Sequence, residues 1–553
     1  MTPHQNSRAR PWARGLSIPS PMLLRTLPLG GLAVASLLAA TSCQQEDPLL
    51  PPADESADQG VLSPEAIRAR VAEELADDGL MEWTDLSDLE AFSAGLADDS
   101  LFAYGYWLDA VPDDVEEQIG RVDPAEDAWR AQFDEVLAEV LEIESAALGH
   151  TVTRERILPY GEPEAIPHTT LRLASPASFT YLRGLPSTRY VEPMGFDPDA
   201  GAGSLAEQDA GGGVVARSGS GCGSGDFGVK STDWFWDTGR EGTYAWTLNE
   251  HRVRSAWGYS NGSGVRIQII DTGVSDDQEA LGSKFASGRS AGRNPVRKLA
   301  THHTTHRLFR WRRTRDSPDD PCGHGTTSAG IAAGPRGVGT NVAGVAYGAD
   351  LTSVRATVDV MITSSDETKG VRDALVIAGN SSTTKIVNMS LGTPISRSYV
   401  NDGVYYAYNR GKLIFAAAGT SINATSGFVV WPARLYQAVA VTGATDASVL
   451  TKCPTCHTGS LVEFAMVMER EGTGGSRTVP ALALSGERPR YTGGTSAATP
   501  MAAGIAALVW SRNPTWSRSQ VLSRLRRSGS LYPNKSSTLG YGKIDALEAV
   551  RGY

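Results

Sequence analysis

Three polar residues, far apart in the chain, each stand beside glycine at the edge of an apolar run. Asp271 ends the run 264–271, His324 lies in Cys-Gly-His-Gly-Thr-Thr, and Ser496 lies in Gly-Gly-Thr-Ser-Ala-Ala-Thr-Pro-Met. In a nucleophilic triad the imidazole removes the serine proton, and the carboxylate fixes the imidazole's tautomer and stabilises its charged form. Each residue alone has a simpler explanation, as a capping Asp, a core His or an N-cap Ser. Together, in this setting, they predict nucleophilic catalysis by serine.

The segments that carry these residues are typical of an α/β fold. The nearly continuous apolar run 264–271 predicts a buried parallel strand, with Asp271 at the carboxyl end, where α/β sheets place their sites. Small residues after His324 predict a tightly packed helix. The apolar stretch from Ser496 to about Trp510 predicts a second, longer helix.

The three motifs resemble those of the subtilisin family of serine proteases, and they follow in the family's own chain order. The resemblance covers about 244–550. It implies a three-layer α/β fold, with helices on both faces of a mostly parallel sheet, and peptide-bond hydrolysis through an acyl-enzyme. By the same resemblance, Asp271 orients His324, His324 is the general base and acid, and Ser496 is the nucleophile. Sedolisin-type peptidases are disfavoured because their base is a Glu.

Two more segments resemble family sites around the triad. The strand 385–392 is similar to the substrate-binding strand, which pairs its backbone with an extended peptide. The segment 412–419 is similar to the strand and turn before an oxyanion-hole Asn, but this chain has Thr420 at that position. Three explanations stay open: the Thr420 hydroxyl donates, Asn423 reaches in, or the enzyme is slow, since losing such a donor costs about 10²–10³ in rate. The resemblance implies substrate-binding and oxyanion roles for Ser390, Leu391, Gly392, Ala418, Gly419, Thr420 and Asn423, with the Ser496 N–H as a second donor.

The family resemblance also bears on metal binding. Calcium is common in the family, but the acid expected about nine residues after Asp271 is not matched, since Ala280 stands there. We therefore expect no required cofactor and no assigned metal ligand, and calcium binding stays open.

The N-terminus has the features of a secretory signal. Arginines precede a short apolar stretch, 27–40, which is followed by small residues and Cys43. The sequence Ala-Thr-Ser-Cys at 40–43 resembles a bacterial lipobox, which implies lipidation of Cys43; the alternative is a bystander Cys beside an ordinary cleavage site. We expect a cell-envelope lipoprotein, or secretion after processing. A lipid anchor would be the only membrane attachment, because no apolar run approaches the roughly 18 residues of a mature span.

Charge divides the chain into an acidic front and a mildly basic remainder. The chain carries a net charge of −11, yet residues 46–150 hold 29 Asp and Glu against four Arg, a net of −25. The acidic front continues to about residue 195, and the segment 63–195 is predicted to be α+β, with helices from Ser63 to about Leu80, over 127–147 and over 177–185, and with strands at 169–173 and 190–193.

The end of the acidic region bears on processing. The last strand, Tyr190-Val-Glu-Pro193, resembles the close of subtilisin-type propeptides. That implies a self-processing zymogen whose pro-segment acts as intramolecular inhibitor and chaperone. The expected domains are a signal peptide with a lipobox-like end (1–43), a tether (44–62), an acidic pro-segment (63–195), a Gly-rich linker (196–240) and a subtilisin-like catalytic domain (241–553).

Five cysteines are too few for a disulfide scaffold in a chain of 553 residues. Cys453-Pro-Thr-Cys456-His457 fits a haem-attachment pattern and half a zinc site. Because the motif occurs once, without a second Cys pair, a local disulfide is the favoured interpretation, and export permits it. Cys222 and Cys322 are then left as a second possible pair.

The stretch 282–315 holds ten Lys and Arg and no acid. A nucleic-acid patch is one interpretation, but we favour an exposed insertion between the Asp and His motifs, with the acidic pro-segment as its partner. The sequence therefore predicts a monomeric serine endopeptidase that acts on proteins or peptides and has no nucleic-acid partner. The alternative is a binding lipoprotein with a vestigial triad.

Overall fold

The structure is a computed structural model that describes residues 60–198, 200, 222, 228–236, 242–306, 309–421 and 427–552, with only the backbone at 305, 306 and 309–313. The expected signal peptide with Cys43, nearly all of the tether, most of the linker and Asn423 lie outside the described residues.

The helices are α1 (Pro64–Asp78), α2 (Asp88–Ala97), α3 (Val115–Gln118), α4 (Asp127–Leu148), α5 (Arg154–Ile157), α6 (Pro176–Arg183), α7 (Thr247–Glu250), α8 (Val253–Ala256), α9 (His324–Ala333), α10 (Ser365–Asn380), α11 (Ser398–Asn409), α12 (Gly494–Arg512), α13 (Arg518–Arg527) and α14 (Ala546–Arg551). The strands are β1 (Leu101–Tyr106), β2 (His168–Arg172), β3 (Thr188–Pro193), β4 (Trp234–Trp236), β5 (Thr243–Ala245), β6 (Arg266–Asp271), β7 (Arg297–Ala300), β8 (His303–His306), β9 (Phe309–Arg315), β10 (Val342–Ala343), β11 (Asp350–Arg355), β12 (Thr384–Met389), β13 (Leu413–Ala417), β14 (Ala438–Thr445), β15 (Val462–Glu469), β16 (Val479–Ala481) and β17 (Arg490–Thr492).

The central sheet has seven strands in the order β15-β14-β13-β12-β6-β11-β7, and every pairing in it is parallel. Helices lie on both faces of this sheet. Successive side chains of β6 point to opposite faces and therefore contact different helical layers. Ile267 and Ile269 belong to the core that includes α9 and α12. Ile270 belongs to the core that includes α10 and α11, and Gln268 donates to the Ala374 carbonyl of α10 at 2.7 Å. The predicted three-layer α/β fold is confirmed.

The acidic segment forms a separate three-stranded antiparallel sheet, β2-β1-β3, with its helices packed around it. The Ser63 side chain accepts from the Ala66 N–H, as expected of an N-cap before Pro64. The apolar side chains of α4 that were expected in the core, including Trp129 and Phe133, are buried. The predicted elements of this segment are confirmed, whereas the sequence did not indicate α2 or the central strand β1.

The acidic segment is seated on the starts of α10 and α11. Glu192 accepts from the N–H and Oγ of Ser398, the first residue of α11, at 2.5 and 2.9 Å. Asp98 accepts from the Oγ of Ser365, the first residue of α10, at 2.6 Å. Carboxylates are favoured at helix N-termini, where N–H groups lack partners inside the helix.

The basic stretch 282–315, expected to be an exposed insertion, has exposed residues but also contributes to the central sheet and to the core. Its β7 forms one edge of the central sheet, next to β11. Arg293 is buried and donates to the carbonyls of Phe285, Ala333 and Ala349 at 2.8–3.0 Å. Backbone carbonyls therefore supply the hydrogen bonds of this cation, and no carboxylate of the acidic segment is among these partners. Among the described residues, the hydrogen bonds of Asp98 and Glu192 that seat the segment go to α10 and α11.

In the part of the chain that the structure describes, no helix is both long and apolar enough to cross a membrane.

Candidate active site

Asp271 ends β6 and pairs with His324. The Nδ1 of His324 lies 2.8 Å from Oδ1 of Asp271, and that oxygen also accepts from the Thr272 N–H at 2.8 Å. Both side chains are buried. Because an ionised carboxylate only accepts, the proton of the pair sits on Nδ1, and Nε2 keeps its lone pair. The arrangement therefore leaves Nε2 able to act as a base.

His324 is the first residue of α9, and glycines around it allow a close approach. A Cβ at Gly325 would lie 2.2 Å from the carbonyl oxygen of Gly273, so only glycine fits between the Asp and His motifs. Burial by itself lowers the pKa of His324. The carboxylates of Asp271, Asp320 and Asp359 outweigh that effect, and the pKa is raised above its ordinary value.

Asp320 ties the two motifs together and was missed by the sequence reasoning. Its Oδ1 accepts from the Thr272 hydroxyl at 2.8 Å and from the Cys322 and Gly323 N–H groups at 3.0 and 2.8 Å. Its Oδ2 accepts from the N–H and hydroxyl of Thr326 at 2.8 and 2.7 Å. An Asp just before a predicted helix start was the available signal, since such residues cap helices.

Ser496 lies in the first turn of α12, which packs against α9. Its Oγ donates to the Ser390 carbonyl at 3.1 Å, and the Ser390 Oγ donates to the Ser496 carbonyl at 3.0 Å. Between His324 and Ser496, both of which the structure describes, there is no hydrogen bond. Catalytic hydrogen bonds often tighten only when substrate is bound, so this geometry does not argue against a triad.

Thr420 follows β13 and lies against the turn that opens α12. Its Oγ1 accepts from the Thr495 N–H at 3.0 Å and lies 3.1 Å from the Thr495 Oγ1, which itself accepts from the Gly419 N–H at 3.2 Å. If the Thr495 hydroxyl donates to Thr420, the Thr420 hydrogen is left for a substrate oxygen beside Ser496. Asn423, the other expected donor, lies outside the described residues.

The expected substrate-binding backbone is already paired within the chain. The Gly392 N–H donates to the Val360 carbonyl at 3.0 Å, and the Gly392 carbonyl accepts from the Ile362 N–H at 3.1 Å. The N–H and carbonyl of Ala418 bond to Val441 and Val430 at 2.9 and 3.0 Å. The other residues expected to bind substrate also have partners within the chain. Leu391 is buried, and the Ser390 carbonyl accepts from the Ser496 hydroxyl. The Gly419 N–H donates to the Thr495 hydroxyl, and its carbonyl accepts from the His457 N–H. A peptide that pairs at Gly392 has to displace the segment 360–362.

The four candidate disulfide cysteines lie in two close pairs. The sulfurs of Cys222 and Cys322 are 2.08 Å apart, and those of Cys453 and Cys456 are 1.93 Å apart. The cysteines that lie close together are those expected to pair, and the first pair places Cys222 of the linker beside Cys322, two residues before His324.

No group of three or more His, Cys, Asp or Glu side chains in the described ranges is arranged so that it could hold a metal ion.

The chain matches the Subtilase family over residues 262–542. M-protease of Shouchella clausii (strain KSM-K16) is 30% identical over 298 residues, which cover 52% of this chain and 65% of M-protease. Alkaline elastase YaB of Bacillus sp. (strain YaB) is 31% identical over 316 residues, which cover 56% of this chain and 71% of the elastase. The crystal structure of MycP1 from Mycobacterium smegmatis has 19% identity and a TM-score of 0.43, with 60% of this chain and 89% of that chain covered.

The family match includes β6 with Asp271, the start of α9 with His324 and the start of α12 with Ser496. It spans half of the sequence, and the seven-stranded parallel sheet with two helical layers accompanies it. The chain belongs to the subtilase family.

Proposed function

We propose that this chain is an exported serine endopeptidase, made as a self-processing precursor. The observation that carries the proposal is the buried Asp271–His324 pair, in which His324 begins a helix that packs against the helix bearing Ser496. The named relatives, a protease and an elastase, support peptide-bond hydrolysis. Lipidation of Cys43 belongs to the same proposal, and the chemistry needs no metal or cofactor.

In the proposed reaction the Ser496 hydroxyl attacks the peptide carbonyl while His324 Nε2 takes its proton. Asp271 holds the imidazole through Nδ1 and stabilises its positive charge. The Ser496 N–H and the Thr420 hydroxyl donate to the oxyanion. His324 then protonates the leaving amine, and water attacks the acyl-enzyme with His324 again as base. For Ser496 to meet His324, its hydroxyl has to leave the Ser390 carbonyl.

We propose that residues 63–195 are the pro-segment of this precursor. Arg397 holds its end by donating to the carbonyls of Pro193 and Phe196 at 3.4 and 2.9 Å, and the Phe196 N–H donates to Thr363 at 2.7 Å. Thr363 follows Ile362, whose N–H pairs with Gly392. The end of the segment therefore lies near the edge where a substrate peptide is expected to bind, as an inhibitory segment requires.

A fluorophosphonate probe tests the proposed function directly. The Ser496 Oγ is expected to form a bond to phosphorus with loss of fluoride, so the processed protein should label at one serine and Ser496→Ala should not. Peptide mapping locates the label. A processed protein that neither labels nor cleaves peptides would favour the alternative, a binding lipoprotein with a vestigial triad.

Thr420→Val tests the oxyanion donor. The valine is nearly isosteric but cannot donate, so we expect kcat to fall about tenfold or more with little change in KM, because the contact strengthens only in the transition state. Thr420→Ser keeps the hydroxyl and serves as the matched control. Steady-state kinetics on one peptide substrate measures both. An unchanged kcat in Thr420→Val would move the role to Asn423 or to the backbone alone.

The docking contacts predict two opposite pH effects. Burial raises the pKa of Glu192 to about 7, and burial lowers the pKa of His168 to about 4. His168 Nδ1 lies 2.9 Å from Asp402 and 3.0 Å from the Tyr190 hydroxyl, beside Arg189. A raised carboxyl pKa means that docking weakens as pH rises from about 4.5 to 7. A lowered imidazole pKa means that docking strengthens as pH rises from about 4 to 6.5.

Because the two effects oppose each other over nearly the same interval, single variants should reveal them. Both variants are made in an uncut Ser496→Ala parent. Glu192→Gln keeps only the His168 effect, so between pH 4.5 and pH 7 the difference in melting temperature between this variant and the parent should increase by a few degrees. His168→Gln keeps only the Glu192 effect, so the difference in melting temperature between this variant and the parent should decrease as pH rises over the same range. Equal slopes in the two variants would contradict the assignment.

A further inference from the structure

The proposed chemistry leaves the Cys-Pro-Thr-Cys-His motif unused, although it lies beside the oxyanion site. The loop 453–457, called the clip loop below, runs antiparallel to residues 419–421, called the oxyanion segment. The Ser421 N–H donates to the Thr455 carbonyl at 3.0 Å, and the His457 N–H donates to the Gly419 carbonyl at 2.9 Å. Thr420, between these bonds, lies opposite Cys456. The backbone on both sides of Thr420 is therefore bonded to the clip loop.

The imidazole of His457 makes a second set of contacts with the oxyanion segment. Its Nε2 lies 3.0 Å from the Ser421 Oγ, and its ring packs edge-on against Phe428 with centroids 4.5 Å apart. Gly419 has φ +120, and a Cβ there would lie 2.6 Å from His457 Nδ1. The glycine is thus required both by its backbone conformation and by the closeness of the imidazole. Burial lowers the pKa of His457, so the ring is neutral at neutral pH and one nitrogen remains an acceptor.

The clip loop is itself anchored to the central sheet. The Cys453 N–H donates to the Gly443 carbonyl of β14 at 3.0 Å, and the Thr442 hydroxyl of β14 donates to the His457 carbonyl at 2.5 Å. Both cysteines are fully buried, with their sulfurs at bonding distance. The clip loop therefore connects the oxyanion segment to a buried strand and holds the segment in place relative to that strand.

On its other side, the oxyanion segment contacts the start of α12. The Gly419 N–H and the Thr420 Oγ1 bond to Thr495, the residue before Ser496. Thr420 thus lies between two supports: α12, which carries Ser496, and the clip loop. Oxyanion donors act by being held in place before charge develops, so a small displacement of Thr420 costs rate more than it costs binding.

We propose that the clip loop positions Thr420 for oxyanion stabilisation, with His457 as its positioning residue. The inference rests on the proposed function and extends it to residues that do not touch the substrate. It gives the Cys-x-x-Cys-His motif a role in the peptidase reaction in place of haem or zinc binding. Variants of the clip loop are therefore expected to lower kcat by displacing Thr420.

The test measures kcat and KM of the processed protein with His457→Ala, His457→Gln and the double variant Cys453→Ser/Cys456→Ser. We expect His457→Ala and the double cysteine variant each to lower kcat about five- to tenfold, with KM changed by less than about twofold. Glutamine places an amide near the position of Nε2 and should restore most of kcat. Val449→Ala, at an exposed position outside the clip loop, is the matched control and should leave both constants unchanged.

The deciding measurement repeats His457→Ala in a Thr420→Val background. If the clip loop acts through Thr420, the added variant should lower kcat by less than about twofold there, whereas independent effects would multiply. Multiplying effects, an unchanged kcat in folded His457→Ala, or an unchanged kcat in Thr420→Val would each overturn the inference. If His457→Ala fails to fold, Ser421→Ala removes the hydroxyl that lies 3.0 Å from the imidazole and takes its place in the same cycle. A wild-type protein that neither labels nor hydrolyses would instead overturn the proposed function, so the two failures are distinguishable.

Discussion

Ser496→Ala is expected to lower kcat by about five to six orders of magnitude and to leave the chain uncut after signal removal. Without the hydroxyl there is no acyl-enzyme, and His324 has no proton to take from the nucleophile. The wild-type chain should lose roughly its first 200 residues, because β3 ends at Pro193 and Gly-rich sequence follows the seated end of the segment. Intact mass measurement of both proteins records the cut.

A second step separates loss of the nucleophile from inhibition by the attached segment. Ser496→Ala, given a trace of processed wild-type protein, should be cut at the same position. The cut product, purified from the wild type, should still lack hydrolysis while keeping the melting temperature of the processed wild type. Trimming of Ser496→Ala at the same position in a protease-deficient host would assign the cut to another enzyme. Full activity in the cut product would remove Ser496 from the mechanism.

Cys222→Ser is expected to lower the free energy of unfolding by up to about 4–5 kcal/mol, less any native strain, and Cys322→Ser by a similar amount. The two sulfurs lie at bonding distance across a sequence separation of 100, and a crosslink over a long loop limits the unfolded chain most. The double variant should be no less stable than either single variant, since one bond is lost in every case. Urea unfolding of the processed protein, with Ser496 blocked by a fluorophosphonate, measures the free energy of unfolding of each variant.

The second cysteine pair supplies an internal comparison for that measurement. Cys453 and Cys456 are separated by only 3 in sequence, and the same chain-entropy argument gives about 2 kcal/mol for so short a loop. If Cys222 is bonded to Cys322, the processing cut has to lie before Cys222 for the acidic segment to be released, and the mature chain should then begin between Phe196 and Cys222. Peptide mapping that finds Cys222 and Cys322 as free thiols, or additive losses in the double variant, would contradict the crosslink.

The sequence by itself determined the local parts of this protein. The N-cap at Ser63 before Pro64, the apolar face of α4 and the buried run that ends in Asp271 are set by neighbouring residues. Caps and hydrophobic periodicity depend on contacts within a few positions, so these elements were predicted close to their observed bounds. The three motifs were recognisable because their residue types are those of a nucleophilic triad and because they resemble the motifs of a known family.

The sequence did not reveal β1 or the role of Asp320. All six residues of β1 are buried, and such a short apolar run cannot be told from a buried helix segment by its periodicity alone. Asp320 accepts from Thr272 across 48 positions of sequence, and a single Asp before a helix gives no sign of so distant a partner. Both depend on what packs around them rather than on their own neighbours.

Only the tertiary structure decided how distant segments meet. Among the described residues, the acidic segment is seated on the first residues of α10 and α11, where Asp98 accepts from the Ser365 hydroxyl and Glu192 accepts from the Ser398 N–H and hydroxyl. In the basic stretch, the buried Arg293 donates to backbone carbonyls. Gly392 pairs with residues 360–362, so the expected peptide-binding edge is occupied by the chain itself. The clip loop beside Thr420 belongs to the same class. Charge and motif identify groups that are able to interact, but backbone pairing and burial select which of them do, and these depend on the packing of the whole sheet.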